Sequence, residues 1–364
     1  MSTTLWQMDV ETCPPVGRAG RHEELTMAVR LKDVAARADV SVKTASNVIN
    51  DYPHITPRTR AKVQAAIDEL RYRPNLSARR LKHGKAGFLA LAIPRLNEPY
   101  FAEVAAALSA EAMRRGYILL LDATEGTAEN EQLVLDGMRS HMIDGVVFSP
   151  LVIDAEQIAA RTDDVPMVLL GERAVPEGHD HVGMDSVSAA YRMTEHLISR
   201  GCRRIAAIGA SETSATAAVR LAGYARALQD NGIERVPAWE VEPDRWDRAA
   251  GHAVMQRFLA LPERPDAVFC FNDLLAIGAL RACHEAGVGV PEDIALAGFD
   301  DIDETRYSTP TITTIRPDLP RLAQEVLGLL EARIDGDSSD ARQVTVPWEL
   351  LVRESTIGRT PVPG

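Results

Sequence analysis

The sequence predicts two parts, a small all-α head at the N-terminus and a large α/β body behind it. Apolar residues recur at helical spacing between residues 31 and 70, whereas short, nearly all-apolar runs alternate with helix-like stretches from Ala86 onward. The charge divides in the same way. Residues 28–85 hold 13 Lys and Arg against 5 Asp and Glu, in a chain whose net charge is −12. A basic head therefore precedes an acidic body.

The composition excludes several classes of protein. The chain has 364 residues, of which 46% are hydrophobic and 25% charged, as expected for a globular protein of two or three domains. No apolar run approaches the roughly 18 residues of a membrane helix, and the proline-broken N-terminus does not resemble a secretion signal. We therefore expect no membrane association and a cytoplasmic protein. The spacing of its four cysteines excludes a C-x-x-C metal pair: Cys13, Cys202, Cys270 and Cys283.

The head is predicted to contain a helix-turn-helix. The first helix has apolar residues on one face, at Leu31, Val34, Ala35 and Ala38. Asp39 and Val40 form a tight turn, and Ser41 is a suitable N-cap for the second helix. That helix can pack on the first through Val42, Ala45, Val48 and Ile49. Thr56-Pro57 begins a third helix, whose apolar stripe is Val63, Ile67 and Leu70.

The second helix carries side chains suited to DNA. It presents short or basic polar groups that can reach base edges and phosphates in a major groove, namely Lys43, Thr44, Ser46 and Asn47. The alternative is an ordinary helical hairpin with a solvated face. A following basic segment favours DNA, because an exposed leucine beside arginines suits minor-groove insertion. Asn75 can cap this short helix, which contains Ala78, Arg79, Arg80 and Leu81. A plain basic linker is the alternative there.

The body reads as a doubly wound α/β fold. Seven short apolar runs have the pattern of parallel strands covered on both faces, beginning with FLALAIP (88–94) and ending with IALAGFDD (294–301). Helical stretches lie between them, and about 270 residues favour two α/β lobes. Ligands bind such sheets at the carboxyl ends of the strands. The polar and aromatic residues near those ends therefore suggest a sugar or polyol site: Asn97, Tyr100, Phe101, Arg220, Asn272, Asp273, Asp300 and Asp301. The alternatives are helix caps for Asn272 and Asp300 and a surface ion pair for Arg220.

From about Val29 to Gly358 the sequence resembles the LacI-type (lactose/galactose repressor) family of bacterial transcriptional regulators. The motifs are LKDVAARADVSVKTASNVIN, RYRPNLSARRL, RLAGY, FND and GFDD. The resemblance implies base-reading positions at Val42, Lys43 and Asn47, an intercalating leucine at Leu81 and a minor-groove alanine at Ala78. Asp39 stands where the family usually has glycine, and aspartate tolerates the left-handed conformation. Asn47 replaces a common arginine and favours adenine, and Val42 can touch a thymine methyl.

For the body, the resemblance implies a small-molecule effector site. RLAGY contributes Arg220, FND contributes Asn272 and GFDD contributes Asp300. Trp246 matches an aromatic residue often present in the pocket, and Glu172 in LLGER matches a residue near the ligand in some members. The implied architecture is an N-terminal all-α helix-turn-helix head plus an α/β effector domain of two Rossmann-like lobes, like a periplasmic sugar-binding protein.

The expected domain limits follow from these readings. Residues 1–27 are expected to be disordered or an upstream extension, with Met27 as an alternative start. The helix-turn-helix spans 28–74, the hinge 75–85 and the effector and dimerisation domain 86–358, with a tail at 359–364. The first lobe is predicted at 86–184 plus 316–338 and the second at 185–315 plus 340–358. The chain is expected to cross between the lobes near Asp185, Ile315 and Asp340.

The predicted function is that of a sequence-specific DNA-binding regulator, expected to be a repressor. Its expected partners are an inverted-repeat operator, a small effector (a sugar by default) and a second copy of the chain. A phosphate-binding loop, a dinucleotide fingerprint, a nucleophile elbow and a zinc helix are all missing from the sequence, so we expect no enzyme, cofactor or metal. A solute-binding protein of a transport system and a sugar-processing enzyme remain the alternatives. The sequence does not name the effector or say whether it releases DNA or promotes binding.

Overall fold

The computed structural model describes residues 29–49, 52–72, 86–137, 142–172 and 176–357. The chain divides into two compact units, with the boundary between Arg79 and Arg80. The helix-turn-helix and the α/β body therefore fold around separate cores.

The first unit contains the three predicted helices: α1 (Leu31–Arg37), α2 (Val42–Ile49) and α3 (Pro57–Glu69). Asp39 occupies the left-handed region with φ 53°, so aspartate takes the place of glycine in the turn before α2. The buried core comes from all three helices: Val34, Ala35, Ala38, Ala45, Val48, Val63 and Ala66. Val42 corrects the predicted packing of α2. Val42 is the first residue of α2 and is 49% exposed, and the buried residues of this helix are Ala45 and Val48.

The first lobe of the body is a six-stranded sheet in the order β11-β5-β4-β3-β1-β2, in which β11 is Gln343–Val346 and all described pairs are parallel. Most of its strands alternate with helices along the chain, as predicted. Its elements in chain order are β1 (Phe88–Ile93), α4 (Pro99–Arg114), β2 (Ile118–Ala123), α5 (Ala128–Leu135), β3 (Gly145–Phe148), α6 (Ala155–Ala159), β4 (Met167–Leu170) and β5 (Asp180–Met184).

The second lobe is a four-stranded parallel sheet in the order β7-β6-β8-β9. Buried aromatic and aliphatic side chains cover both of its faces. Its elements are α7 (Ser186–Ser199), β6 (Ile205–Ile208), α8 (Ala215–Asp230), β7 (Glu240–Val241), α9 (Arg248–Leu259), β8 (Ala267–Cys270), α10 (Asp273–Glu285), β9 (Ala295–Ala297) and α11 (Glu304–Tyr307).

The final crossings between the lobes correct one predicted boundary. The last elements are β10 (Thr314–Pro317), α12 (Leu319–Ile334), β11 (Gln343–Val346) and β12 (Trp348–Leu351). The sequence places residues 340–358 in the second lobe, but β11 pairs with β5 in the first sheet. The chain leaves that sheet at Pro347, and β12 then pairs antiparallel with β10. Strand β11 belongs to the first lobe because its backbone hydrogen bonds extend the first sheet beyond β5.

The sequence pattern does not predict β5, which begins with a charged residue. Asp180 is nevertheless 2% exposed. Its carboxylate accepts bonds from Arg333 at 2.7 and 3.0 Å and from the backbone N–H of Arg342 at 2.8 Å. This pairing of a buried charge allows a polar residue inside the sheet. In the described part of the chain, no helix is long and apolar enough to cross a membrane.

Candidate functional site

The second helix of the head presents two of the predicted DNA-contacting residues to solvent. Val42 and Lys43 are exposed, whereas Thr44, Ser46 and Asn47 are half-buried. Ser41 acts as the predicted N-cap, because its hydroxyl accepts a bond from the backbone N–H of Thr44 at 3.0 Å. The N-terminal end of α2 is thus an exposed surface that a DNA groove can accept.

The predicted hinge lies outside the described residues. This applies to Asn75, Ala78, Arg79 and Leu81, so their minor-groove contacts stay a prediction.

The body contains a cavity of about 510 Å³ between its two lobes. Its walls are the segments that follow the carboxyl ends of β1, β3, β4, β6, β7, β8 and β9, as expected for a ligand site in parallel sheets. Seven of the eight predicted effector residues line it: Tyr100, Phe101, Glu172, Arg220, Trp246, Asn272 and Asp300. Asn97 does not. It is exposed in the turn after β1, ahead of α4.

Arg220 lies on α8 at the centre of the site and is only 6% exposed. Its guanidinium donates to the backbone carbonyl of Phe271 and, at 3.1 Å, to Glu172 Oε1. Asp300 Oδ1 is 3.7 Å from Nη2, and the guanidinium carbon lies 3.7 Å from the centre of the Phe299 ring. This arginine is therefore a buried structural cation, and the alternative of a surface ion pair is wrong.

Burial raises the pKa of two groups near Arg220, the Asp300 carboxyl and the Tyr100 hydroxyl. It raises the pKa of the Asp300 carboxyl to about 7, against the opposing effect of Arg220. Burial and the nearby Asp300 also raise the pKa of the Tyr100 hydroxyl. For Arg220, burial opposes the charge, but Glu172 and Asp300 outweigh it and raise the pKa. Burial therefore disfavours the charged forms of Asp300 and Tyr100, while the nearby carboxylates favour the charged form of Arg220.

Two polar atoms in this site have no hydrogen-bond partner among the described residues. They are Glu172 Oε2 and Arg220 Nε, and both are buried. Glu172 uses its other oxygen for Arg220 and for the hydroxyl of Ser186. Buried polar atoms normally have partners, so one acceptor and one donor are available to a ligand here.

Asn272 combines two roles. Its Oδ1 accepts from the backbone N–H of Leu275 at 2.9 Å and so caps α10, which agrees with the alternative reading from the sequence. Its Nδ2 donates to the carbonyl of Trp246 at 3.2 Å. Asn272 therefore fixes the loop that places Trp246 on the cavity wall.

Two further aspartates at strand ends, Asp273 and Asp301, are buried and hydrogen-bonded. Asp273 is 0% exposed; its carboxylate accepts from the Thr314 hydroxyl at 2.7 Å and from the Ile302 backbone N–H at 3.0 Å. Asp301 accepts from Arg306 at 2.7 Å and from Arg353 at 2.5 Å. The sequence singles out both aspartates at strand ends but gives no signal for Thr314 or Arg353. Ser149, Glu98 and Arg245 of the cavity wall are likewise missed, since none belongs to a recognisable motif.

The comparisons with known proteins agree with both parts of the structure. Residues 30–75 match the family described as "Bacterial regulatory proteins, lacI family", and residues 194–356 match a "Periplasmic binding protein-like domain". An HTH-type transcriptional repressor PurR from Escherichia coli is 34% identical over 333 residues, covering 89% of this chain and 96% of that protein. The PurR of Mannheimia succiniciproducens is 32% identical, covering 89% and 98%.

Solved structures are similar over nearly the same length. A lac repressor dimer bound to operator and an anti-inducer has a TM-score of 0.80 at 27% identity, covering 91% of this chain and 100% of that one. The complex of the transcriptional regulator CelR with cellobiose has a TM-score of 0.68 at 30% identity, covering 90% and 99%.

A helix-turn-helix joined to a two-lobed, periplasmic-binding-protein-like domain defines a ligand-responsive DNA-binding protein. The chain belongs to the lacI family of bacterial regulatory proteins. It is a DNA-binding transcriptional regulator, and the readings as a transport receptor or a sugar-processing enzyme are not supported.

Proposed function

We propose that a small molecule bound in the cavity between the lobes controls the affinity of the helix-turn-helix for an operator. The observation that carries this proposal is the cavity itself. Seven residues from the segments after six strands surround one volume, and a buried acceptor and a buried donor there lack partners among the described residues. A ligand that alters the relative position of the lobes can shift operator affinity, with coupling free energies of typically about 1–3 kcal/mol.

The DNA-contacting roles belong to α2 and the hinge. The exposure of Val42 and Lys43 supports their assignment to base edges in the major groove, with Val42 against a thymine methyl. Asn47 is assigned to an adenine. The hinge residues are assigned to the minor groove: Asn75, Ala78, Arg79 and Leu81.

The regulator is proposed to act as a homodimer on an inverted repeat in the cytoplasm. An apolar edge supports the dimer. Strand β2 lies at the edge of the six-stranded sheet, and its Ile118, Leu120 and Leu121 are exposed. Met113, near the end of the preceding helix, is 73% exposed. An exposed apolar edge strand favours pairing with another chain, and the similar lac repressor is a dimer on its operator.

The proposed ligand is a sugar. Carboxylates, an amide and aromatic rings together suit hydroxyl groups and the CH faces of a pyranose. The similar CelR was solved with cellobiose. A purine is the second candidate, because the curated relatives carry the name PurR.

The distribution of lysines allows a direct test of whether the head binds DNA and the body binds the ligand. All five lysines precede Ala86: Lys32, Lys43, Lys62, Lys82 and Lys85. Acetylation of the amines of the whole chain should therefore abolish operator binding while the thermal shift caused by a cavity ligand persists. Unmodified protein should bind operator with an affinity that falls steeply as salt rises. Operator binding that survives acetylation, or that is indifferent to salt, would refute the proposal.

A further inference from the structure

We infer that the cavity accepts an uncharged, hydroxyl-rich ligand and rejects its phosphorylated or carboxylated counterpart. This rests on the proposed function, since it names the ligand class of the same cavity. Four sets of observations carry the inference, and they concern different sides of the cavity.

The central arginine is already engaged by acceptors of the protein itself. Both terminal nitrogens of Arg220 already donate, to Phe271 and Glu172, and one face of the guanidinium is covered by Phe299. Phosphates and carboxylates are usually held by the paired N–H groups of a free guanidinium edge. Only Nε lacks a partner among the described residues, and a single N–H suits a hydroxyl or ring oxygen.

The other cations of the cavity wall are also matched by carboxylates. Arg95 pairs with Glu98 at 2.9 Å, and Arg245 lies 3.4 Å from Asp247. Among the described residues that line the cavity, three arginines face five carboxylates: Glu98, Glu172, Glu242, Asp244 and Asp300. No lysine follows Lys85 in the sequence. The potential inside the cavity is therefore negative and repels an anion.

The buried acceptor Glu172 Oε2 favours a ligand that carries a hydrogen-bond donor. Glu172 is 8% exposed at its side chain, and its Oε2 has no partner among the described residues. A hydroxyl or N–H can donate to this oxygen, whereas a carboxylate or a phosphate dianion offers only acceptors. The raised pKa of Asp300 acts in the same direction, because the site already resists the negative charge of its own carboxyl.

The aromatic residues of the wall supply the remaining surface. Trp246, Tyr100 and Phe101 line the same cavity, and Trp246 packs edge-on against Phe271 with ring centres 6.4 Å apart. Aromatic faces bind the CH groups of a sugar or the face of a base without requiring charge. The wall thus combines apolar contact with hydroxyl recognition.

Matched ligand pairs test the inference. The full chain is titrated, by thermal shift and calorimetry, with glucose and glucose 6-phosphate, cellobiose and cellobionic acid, and adenosine and AMP. We expect at least one uncharged member to bind, with its anionic partner weaker by about tenfold or more, equivalent to about 1.4 kcal/mol. Equal or tighter binding of an anionic member overturns the inference, and so does a screen in which no uncharged member binds.

Glu172→Gln provides the variant test. It keeps the shape of the side chain but removes the charge, so discrimination within a binding pair should shrink several-fold. Glu195→Gln, at an exposed ion pair of α7, is the matched control and should leave discrimination unchanged. Unaltered discrimination in Glu172→Gln overturns the inference. Operator binding is measured in parallel. If the unmodified protein did not bind operator DNA, that result would contradict the proposed function and not the ligand class.

Discussion

Arg220 shows how a single residue can organise a binding site. It joins Glu172, which follows a strand of the first lobe, to Phe271 and Asp300, which follow strands of the second. The motif RLAGY predicts that this arginine matters, but the sequence does not reveal that its partner is Glu172, 48 residues earlier. Contact between the two depends on the crossing of the chain between lobes, which no local pattern encodes.

Replacement of Arg220 should be costly. Arg220→Ala leaves two carboxylates buried without their cation, and breaking such a pair typically costs about 3–5 kcal/mol. Urea unfolding measures the loss. The same substitution at Arg281, whose ion pair with Glu285 is exposed, should change the free energy of unfolding by less than about 1 kcal/mol. Comparable losses in both variants would contradict the structural role assigned to Arg220.

Asp300 should make stability depend on pH. Its pKa is about 7 in the folded chain, above the ordinary value of 3.8. Between these values the folded state holds a proton that the unfolded state has released, so the contribution of Asp300 to the free energy of unfolding falls as pH rises. The free energy of unfolding of Asp300→Asn, minus that of the unmodified protein, should therefore be larger at pH 8 than at pH 4. Asp244→Asn, at an exposed position, is the control, and parallel pH profiles for Asp300→Asn and the unmodified protein would refute the assignment.

Among the helices of the second lobe, glycines allow neighbouring backbones to pack in close contact. Helices α9 and α10 approach so closely that a Cβ on Gly278 would lie 2.0 Å from the Arg248 carbonyl oxygen, and one on Gly251 would lie 2.1 Å from that of Leu275. Helix α8 approaches α7 in the same way at Gly223. Helical spacing predicts α7, α8 and α10, but it gives no indication of such close contact between backbones.

Glycine-to-alanine substitutions separate contact from helix propensity. Gly278→Ala should destabilise the protein by at least about 1–3 kcal/mol because the helices must move apart. Gly328→Ala, on α12, meets nothing nearer than the Arg115 side chain at 3.9 Å and should stabilise by up to about 1 kcal/mol. Thermal unfolding measures both. If Gly278→Ala changed the stability in the same direction as Gly328→Ala, the close approach of α9 and α10 would be contradicted.

Helix α2 makes a prediction about DNA. Lys43→Ala should relax the preference at one base pair in each half-site and also lower the salt slope, because a lysine at a base-reading position brings a positive charge into the groove. Asn47→Ala should relax the preference at a different base pair and leave the salt slope unchanged, at a cost of about 1–3 kcal/mol. Binding-site selection and salt titrations distinguish the two effects. An unchanged selection profile for Asn47→Ala would remove it from the base-reading residues.

At the scale of the whole molecule, the exposed apolar edge on β2 is the feature on which the proposed dimer depends. Leu121 is 49% exposed there. On the second lobe, Tyr307 is 79% exposed but lies on the short helix α11 and not on a strand. Exposure alone therefore does not define an interface, whereas an open strand edge with several apolar side chains does.

Oligomeric state tests this edge. Leu121→Lys should give a monomer by light scattering and should lose the preference for a duplex with two half-sites over one with a single half-site. Tyr307→Lys is the control and should remain a dimer. A dimeric Leu121→Lys variant that keeps its preference would place the interface elsewhere.

The basic helical head, the acidic α/β body and the strand ends that carry polar groups can all be predicted from the sequence. These features depend on local periodicity and charge, which neighbouring residues define. The fold is needed to show that Asn97 lies outside the cavity, that β11 belongs to the first sheet and that Glu172 contacts Arg220. Such pairings join residues far apart in the chain, and their free energy comes from burial and hydrogen bonds that exist only once both lobes have folded.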